Sequence, residues 1–436
     1  MSENQKLSPA KFGLLGFQHM FAMFGATVLV PALTGLSVSA TLLFAGLGTL
    51  LFHLITKGKV PAFLGSSFAF LGGYFAVAGM EQFADGTMNW IPYAGVGVAC
   101  AGLIYCAVAA LFKVFGAEKV MRFFPPIVTG PIIIAIGLIL SNSAVNNCAT
   151  NWPIAILALV IVVAFNIWGK GMFKIIPILM GVVISYVAAL ALHAMGMTCA
   201  DGSALLNFEG VANADLFGLP PFLMAKFDIS AILVMAPIAL ATMMEHVGDM
   251  SAISATVGEN FVEKPGLHRT LIGDGLATTL SAMFGGPANT TYGENTGVLV
   301  LSRVYDPRVI RIAAVFAIVL GFIPKMAEVI GSMPSAIVGG VSFILYGMIS
   351  AIGVRNIVEN KVDFTNSRNL IIAAVILVCG LGFSGGLTFT VAGTPITLTS
   401  LAIAAICGII LNAILPGNDY EFGANPEGDK NRGVHR

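Results

Sequence analysis

Apolar residues fall along this chain in runs of about twenty, and each run closes on a cluster of Gly, Pro or charged residues. Runs of that length predict membrane-spanning helices, because ~20 residues rising 1.5 Å each cover a ~30 Å hydrocarbon layer. Clear spans fall near residues 11–34, 37–56, 93–115, 124–142, 153–169, 174–194, 229–251, 269–285, 307–330, 333–353, 368–386 and 395–415. Two segments, 61–80 and 287–302, are weaker. The second contains "NTTYGENTG", Asn289 to Gly297, which is polar where its surroundings are apolar.

Charge decides both. Cytoplasmic loops of membrane proteins collect Lys and Arg. With both weak segments crossing and both termini inside, all of the 22 Lys and Arg residues but Lys226 and Lys325 fall on the cytoplasmic side. Without the crossing at 287–302, Arg303, Arg308 and Arg311 would land outside while Lys264 and Arg269 stayed in. The expected fold is therefore an all-α polytopic membrane protein with fourteen spans, and the polar stretch sits at membrane depth.

Composition agrees: 57% of the chain is hydrophobic and 10% charged, too few polar residues to coat a soluble domain. Net charge is zero, so no basic face for nucleic acid is expected. The start "MSENQKLSPAK" leads into an apolar helix without a cleavage site, which reads as a cytoplasmic start to the first span. No Cys or His spacing suggests a metal, and no nucleophile–base pair or phosphate loop suggests an enzyme. No cofactor is expected. Cys148 and Cys199 fall in predicted outer loops, which leaves a disulfide open.

Fourteen is twice seven, and an odd repeat places the second copy upside down, the inverted-repeat plan of many secondary transporters. The loop 195–228 divides the halves. Each weak segment is third in its half, and each opens with Pro, a hydroxyl pair and an aromatic: "PAFLGSSFAF" with Ser66, Ser67 and Phe68, "PANTTYGENT" with Thr290, Thr291 and Tyr292. Short Pro- and Gly-interrupted segments at matching positions point to a binding site. Extended backbone in part of each would restore the reach of a short span. Such backbone must be buried in protein, since lipid offers no hydrogen bonds.

A carboxylate at this depth costs roughly 2.5–3.5 kcal/mol on insertion scales, so it calls for a partner or a role. Glu245 and Glu294 fall midway through their crossings and are the expected substrate or proton groups. Asp249 lies one turn from Glu245 on a shared face, nearer the cytoplasmic end, where water or a backbone cap would also explain it. Asp274 reads equally as a structural hydrogen-bond partner, and His246 is turned about 100° from Glu245. His19 reads as a packed histidine or a proton group, His53 as interfacial. Paired carboxylates, free backbone N–H groups and a ring face suit a small planar molecule with both N–H and C=O groups, such as a nucleobase.

"QHMFAMFGATVLVP", "GKVPAFLGSSFAF", "EHVGDMSA", "PGLHRTLIGDGLATTLSAMFGG" and "NTTYGENTGVLVLSRVYD" occur in this order over residues 11–415. Together they resemble the nucleobase–ascorbate transporter family, and the "NTTYGEN" form resembles its bacterial uracil carriers. The resemblance implies a core domain from 11–115 and 229–330, a gate domain from 124–194 and 333–415, and a cytoplasmic tail at 416–436. It also implies short antiparallel β-strands in segments 3 and 10, a homodimer, and a bacterial cytoplasmic (inner) membrane location. Carried over by motif, Glu245 and Glu294 bind the N–H and C=O edges of uracil. The backbone of Phe68 and Gly293 donates to its oxygens, and the Phe68 ring packs on the base beside Ser67.

In the same resemblance, Tyr292 and Ala26 wall the pocket, and Tyr346 faces it from the gate. Gln18 and His19 support the site, and the proton is handled among Glu245, Glu294, Asp249 and His19. The motif after the glutamate ends here in Ser302–Arg303 rather than Thr and a basic residue. Some uracil carriers have a histidine where this chain has Asp249. The implied activity is uracil–proton symport. Its rivals are a purine symporter on the same fold, a channel or anion exchanger, and a membrane enzyme acting on nucleobases.

Overall fold

The computed structural model describes residues 9–80, 82–83, 86, 89–391, 394–417 and 420. The tail expected at 416–436 lies outside the described residues except at 416, 417 and 420. The first half contains α1 Pro9–Thr34, α2 Val38–Ile55, a strand β1 Leu64–Ser66 running into α3 Leu71–Ala78, and α4 Ile91–Phe115. It continues with α5 Pro126–Ala149, α6 Trp152–Trp168 and α7 Pro177–Ala194. The second half contains α8 Ile229–Val257, α9 Leu267–Met283, strand β2 Asn289–Thr291 running into α10 Gly293–Ser302, and α11 Pro307–Gly321. Then come α12 Ser335–Glu359, α13 Ser367–Gly382, a hairpin of β3 Leu387–Val391 and β4 Thr394–Leu398, and α14 Ser400–Ile414.

Among the described residues, seven helices are long and apolar enough to cross a membrane unaided, and α11 with the short helix after it makes an eighth if counted as one span. The other apolar helices are shorter. The starts are written locally: Ser37, Asn151, Asp228, Asp306, Asn366 and Thr399 each accept a hydrogen bond from a first-turn N–H of the helix that follows. Within α8 the regular helix is interrupted at Ala236–Pro237, where proline has no N–H to give.

The packing repeats with an offset of seven helices. The pair α2–α11 recurs as α9–α4, α1–α11 as α8–α4, α6–α7 as α13–α14, and α1–α7 as α8–α14. Strands β1 and β2, equivalent in the two halves, pair with each other antiparallel: Leu64 with Thr291, Gly65 with Thr290, Ser66 with Asn289. Two halves of opposite sense meet at that ribbon.

Four details differ from the sequence expectation. Helix α5 runs on to Ala149 rather than stopping near 142. Segment 11 is bent by 83° between α11 and the helix Pro324–Gly331. The stretch 395–398, expected to be helical, is strand β4, and its hairpin packs on the first turns of α8. Finally, all six cysteines are free, and Cys148 is buried within α5 rather than in an outer loop, so the Cys148–Cys199 disulfide is not formed.

Candidate functional site

The ribbon is held at both edges by hydroxyls from the helices before each strand. Thr49 of α2 accepts from Leu64 N–H (2.9 Å) and donates to Leu64 C=O (3.3 Å). Thr278 of α9 does the same for Asn289, at 3.2 and 3.1 Å. Beyond the strands, Ser67 N–H donates to Ala288 C=O (2.9 Å) and Tyr292 N–H to Phe63 C=O (3.0 Å). The Tyr74 hydroxyl accepts from Ala288 N–H (3.0 Å). Non-helical backbone inside an apolar protein thus finds its partners within the protein.

Each strand leads directly into a helix start, β1 into the turn Phe68–Phe70 and α3, β2 into α10. A helix start leaves N–H groups without intrahelical acceptors, so the ribbon sets two sets of free donors at its two ends. Gly293 and Glu294 occupy the first turn of α10. The Glu294 carboxylate turns back onto its own backbone N–H.

Glu245 lies on α8 with its Oε2 shielded from solvent and without a hydrogen-bond partner among the described residues. The charges acting on it are all carboxylates: Asp249, Asp274 and Glu294. Asp249 is half-buried, and its Oδ2 accepts a 2.6 Å hydrogen bond from Thr291 of β2. Beside these groups lies open space. Gly248, Gly293, Gly297 and Gly347 are exposed, and a Cβ on any of them would meet nothing within 4 Å.

The remaining site candidates gather around the ribbon. Phe68 meets Tyr346 of α12 edge to face, ring centroids 6.0 Å apart at 72°. Tyr292 is buried, and its hydroxyl donates to Ser66 C=O at 2.9 Å. Ser67 is fully buried, its hydroxyl without a partner among the described residues. Ala26 is buried in α1, next to Thr27, whose carbonyl accepts from the Ser66 hydroxyl (2.9 Å). His19 does not reach the carboxylates by any hydrogen bond described here. Its carbonyl and Nδ1 lie 3.0 and 3.2 Å from the amide nitrogen of Asn295, which ties α1 to α10 one residue after Glu294.

Several contributors take partners that the sequence did not name. His53 is buried within the protein, and its Nε2 lies 2.9 Å from the carbonyl of Ala62, at the turn into β1. Asn289 sends its amide to the carbonyls of Phe44 and Ala277 (3.4 and 3.2 Å). His246 and Asp274 come within 2.8 Å of each other behind Glu245. A separate cavity of about 820 Å³ opens among the ends of α1, α2, α5 and α12, lined in part by Ser37, Ser39, Ser143, Asn147, Glu328 and Ser335.

Two crossings broken into strand and helix, paired across inverted halves, with carboxylates at the junction, define a multi-pass membrane transporter rather than an enzyme. The chain belongs to the xanthine–uracil permease family ("Permease family"), whose model matches residues 10–388. It is similar to the uracil permease of Bacillus caldolyticus, 42% identical over 419 residues that cover 92% of this chain and 91% of that one. It is also similar to the uracil permease of Bacillus subtilis strain 168, 41% identical over 429 residues covering 94% of each. Among solved structures it resembles the transmembrane domain of the cyanobacterium bicarbonate transporter BicA, with TM-score 0.59 and 15% identity over 91% of this chain and 97% of that one. That last likeness concerns the fold alone.

Proposed function

We propose that this chain is a uracil–proton symporter of the bacterial cytoplasmic membrane. In this reading fourteen crossings are arranged as a core, 11–115 with 229–330, and a gate, 124–194 with 333–415. Both termini are cytoplasmic, and the active form is a homodimer. The observation that carries the proposal is the Glu245 carboxylate, one oxygen unpaired, set among Asp249, Glu294 and the free N–H groups of α10.

The chemistry suits an imide-like edge. An ionised carboxylate only accepts hydrogen bonds, whereas a protonated one also donates, so Glu245 and Glu294 match a base presenting both N–H and C=O once one of them holds a proton. Protonation also removes one of several like charges that repel at close range. The backbone N–H groups of Phe68 and Gly293 supply donors to the carbonyl oxygens, and the Phe68 ring, held by Tyr346, covers a face of the base. Tyr292, Ala26 and Ser67 complete the wall, while Asp249 and His19 complete the proton-linked network. Movement of core against gate exposes the site inside, and loss of the proton releases the base.

The shared fold with BicA raises anion exchange as a second reading. A site whose acting charges are carboxylates disfavours it, because they repel an anion that the backbone N–H donors alone would have to hold. Labelled uracil uptake into proteoliposomes tests the proposal: a pH gradient, acidic outside, should drive accumulation and a proton ionophore should abolish it. Glu245→Ala should weaken uracil binding about tenfold or more, the cost of losing this hydrogen-bond partner. Uptake indifferent to the gradient rejects the coupling, and unchanged affinity in the variant rejects the site. Competition by purines exceeding that by uracil would move the substrate to the purine class.

A further inference from the structure

Behind Glu245, on the side of α8 away from the open space, His246 Nδ1 and Asp274 Oδ2 stand 2.8 Å apart, both side chains fully shielded from solvent. The contact is a close polar pairing. Around it lie the Phe52 ring, 6.4 Å from the His246 ring, and Tyr105 of α4, whose buried hydroxyl has no hydrogen-bond partner among the described residues. No other polar contact joins α8 to α9 among the described residues, and the two helices otherwise scarcely touch.

Angles on α8 show what this pairing fixes. At about 100° per residue, Asp249 lies some 40° from Glu245 and His246 about 100° from it, in the same sense. Gly248 falls about 60° to the other side, where the helix borders open space. The helix is therefore tethered twice on one flank, by Asp249 to Thr291 of β2 and by His246 to Asp274 of α9, with Glu245 between those tethers and the opening. Rotating α8 by a fraction of a turn would break the His246 contact, and it would carry the Glu245 carboxylate away from α10.

We propose that His246 and Asp274 are positioning residues for Glu245: their enclosed pair sets the rotation of α8 that aims this carboxylate at the ribbon and the start of α10. The inference deepens the uracil reading and rests on it for its functional consequence, though not for its geometry. Each partner alone would be a stranded buried polar group, whereas an apolar pair of similar volume costs little. This separates a positional role from simple stabilisation.

The test compares wild type with His246→Leu, Asp274→Leu, the double variant carrying both, and Asp274→Asn, all in the purified full chain. Thermal stability, uracil affinity and the rate at which a carbodiimide labels Glu245, read by peptide mass spectrometry, are measured on each. Each Leu variant alone should lose stability and the double variant should regain it. Uracil affinity in the double variant should still lie at least tenfold below wild type, and Glu245 labelling should differ at least threefold. Asp274→Asn, which keeps an oxygen facing His246, should stay within threefold of wild type in both. Wild-type labelling in the stable double variant would overturn the inference, whatever uracil does. A wild type that labels normally but binds no uracil would instead sink the substrate reading and leave the labelling comparison to decide the positional role.

Discussion

Replacing Gly65 with alanine tests the ribbon directly. A Cβ there would lie 2.5 and 2.6 Å from ring atoms Cζ and Cε2 of Tyr292 and 2.7 Å from Thr27 Oγ1, where carbon contacts settle near ~3.5–4.0 Å. The ring has little room to retreat. Its hydroxyl donates to Ser66 C=O at 2.9 Å, and its own N–H is bound to Phe63 C=O at 3.0 Å. Thr27 is equally held, since its carbonyl accepts from the Ser66 hydroxyl.

Overpacking of this kind costs ~1–3 kcal/mol, and yielding the Tyr292–Ser66 bond adds ~1 kcal/mol. Alanine returns ~0.5–1 kcal/mol through its lower backbone entropy. The net is about 2 kcal/mol, close to a 30-fold loss where the intact ribbon is needed for binding. Gly65→Ala should therefore lower both the melting temperature of the purified protein and its uracil affinity. Gly13→Ala in α1, where a Cβ meets nothing within 4 Å, should leave affinity unchanged and raise the melting temperature slightly if at all, never lower it. A Gly65→Ala protein with wild-type melting and wild-type affinity would refute the packing argument.

Two further outcomes follow from polar contacts at helix ends. Arg368 is buried and its guanidinium binds Asn412 C=O and Oδ1 (2.8 and 2.9 Å) and Leu415 C=O (3.2 Å), closing the end of α14; Arg368→Met should cost roughly 3 kcal/mol, as for lost charged hydrogen bonds, visible in thermal unfolding but not in uptake per folded molecule. Asp363 lies between α12 and α13, and the hydroxyl and N–H of Thr365 (2.7 and 2.8 Å) hold its carboxyl below the ordinary value of 3.8. A depressed folded value gives stability that is present above pH 3.8 and lost as pH falls through the lower folded value, so Asp363→Asn should flatten a small acid-limb loss in thermal unfolding and leave the slope above about pH 5 unchanged.

Helices that are long, apolar and capped were readable because nothing competes with a ~20-residue apolar run. The expected starts of α2 and α6, at 37 and 153, differ from the observed Val38 and Trp152 by one residue each. The polar end of α5, "SNSAVNNCA", looked like a loop for a physical reason: Ser143 and Asn147 line the 820 Å³ cavity, so the helix continues where the bilayer pattern stops. Strand β4 was hidden because "TPITL" runs directly into the apolar residues of α14, and mean hydropathy does not report period. His246 and Asp274 could not be paired in advance. They lie on different helices, and nothing in either local sequence names the other.

The polarity of "NTTYGENTG" has two sources that composition alone does not separate. Asn289 serves the carbonyls of α2 and α9, Thr291 serves Asp249, Tyr292 serves Ser66, and Asn295 serves His19. These residues are polar because strand and turn at membrane depth leave backbone and side-chain groups that lipid cannot satisfy. Their loss should show as instability. Gly293 is different: it is exposed and its Cβ direction is open, and Glu294 beside it folds only onto its own N–H. Those two residues are what the stretch holds in reserve once its structural hydrogen bonds are made. In the uracil reading proposed above, a ligand that pairs with Glu294 meets a short helix start whose position Asn289, Thr291, Tyr292 and Asn295 secure.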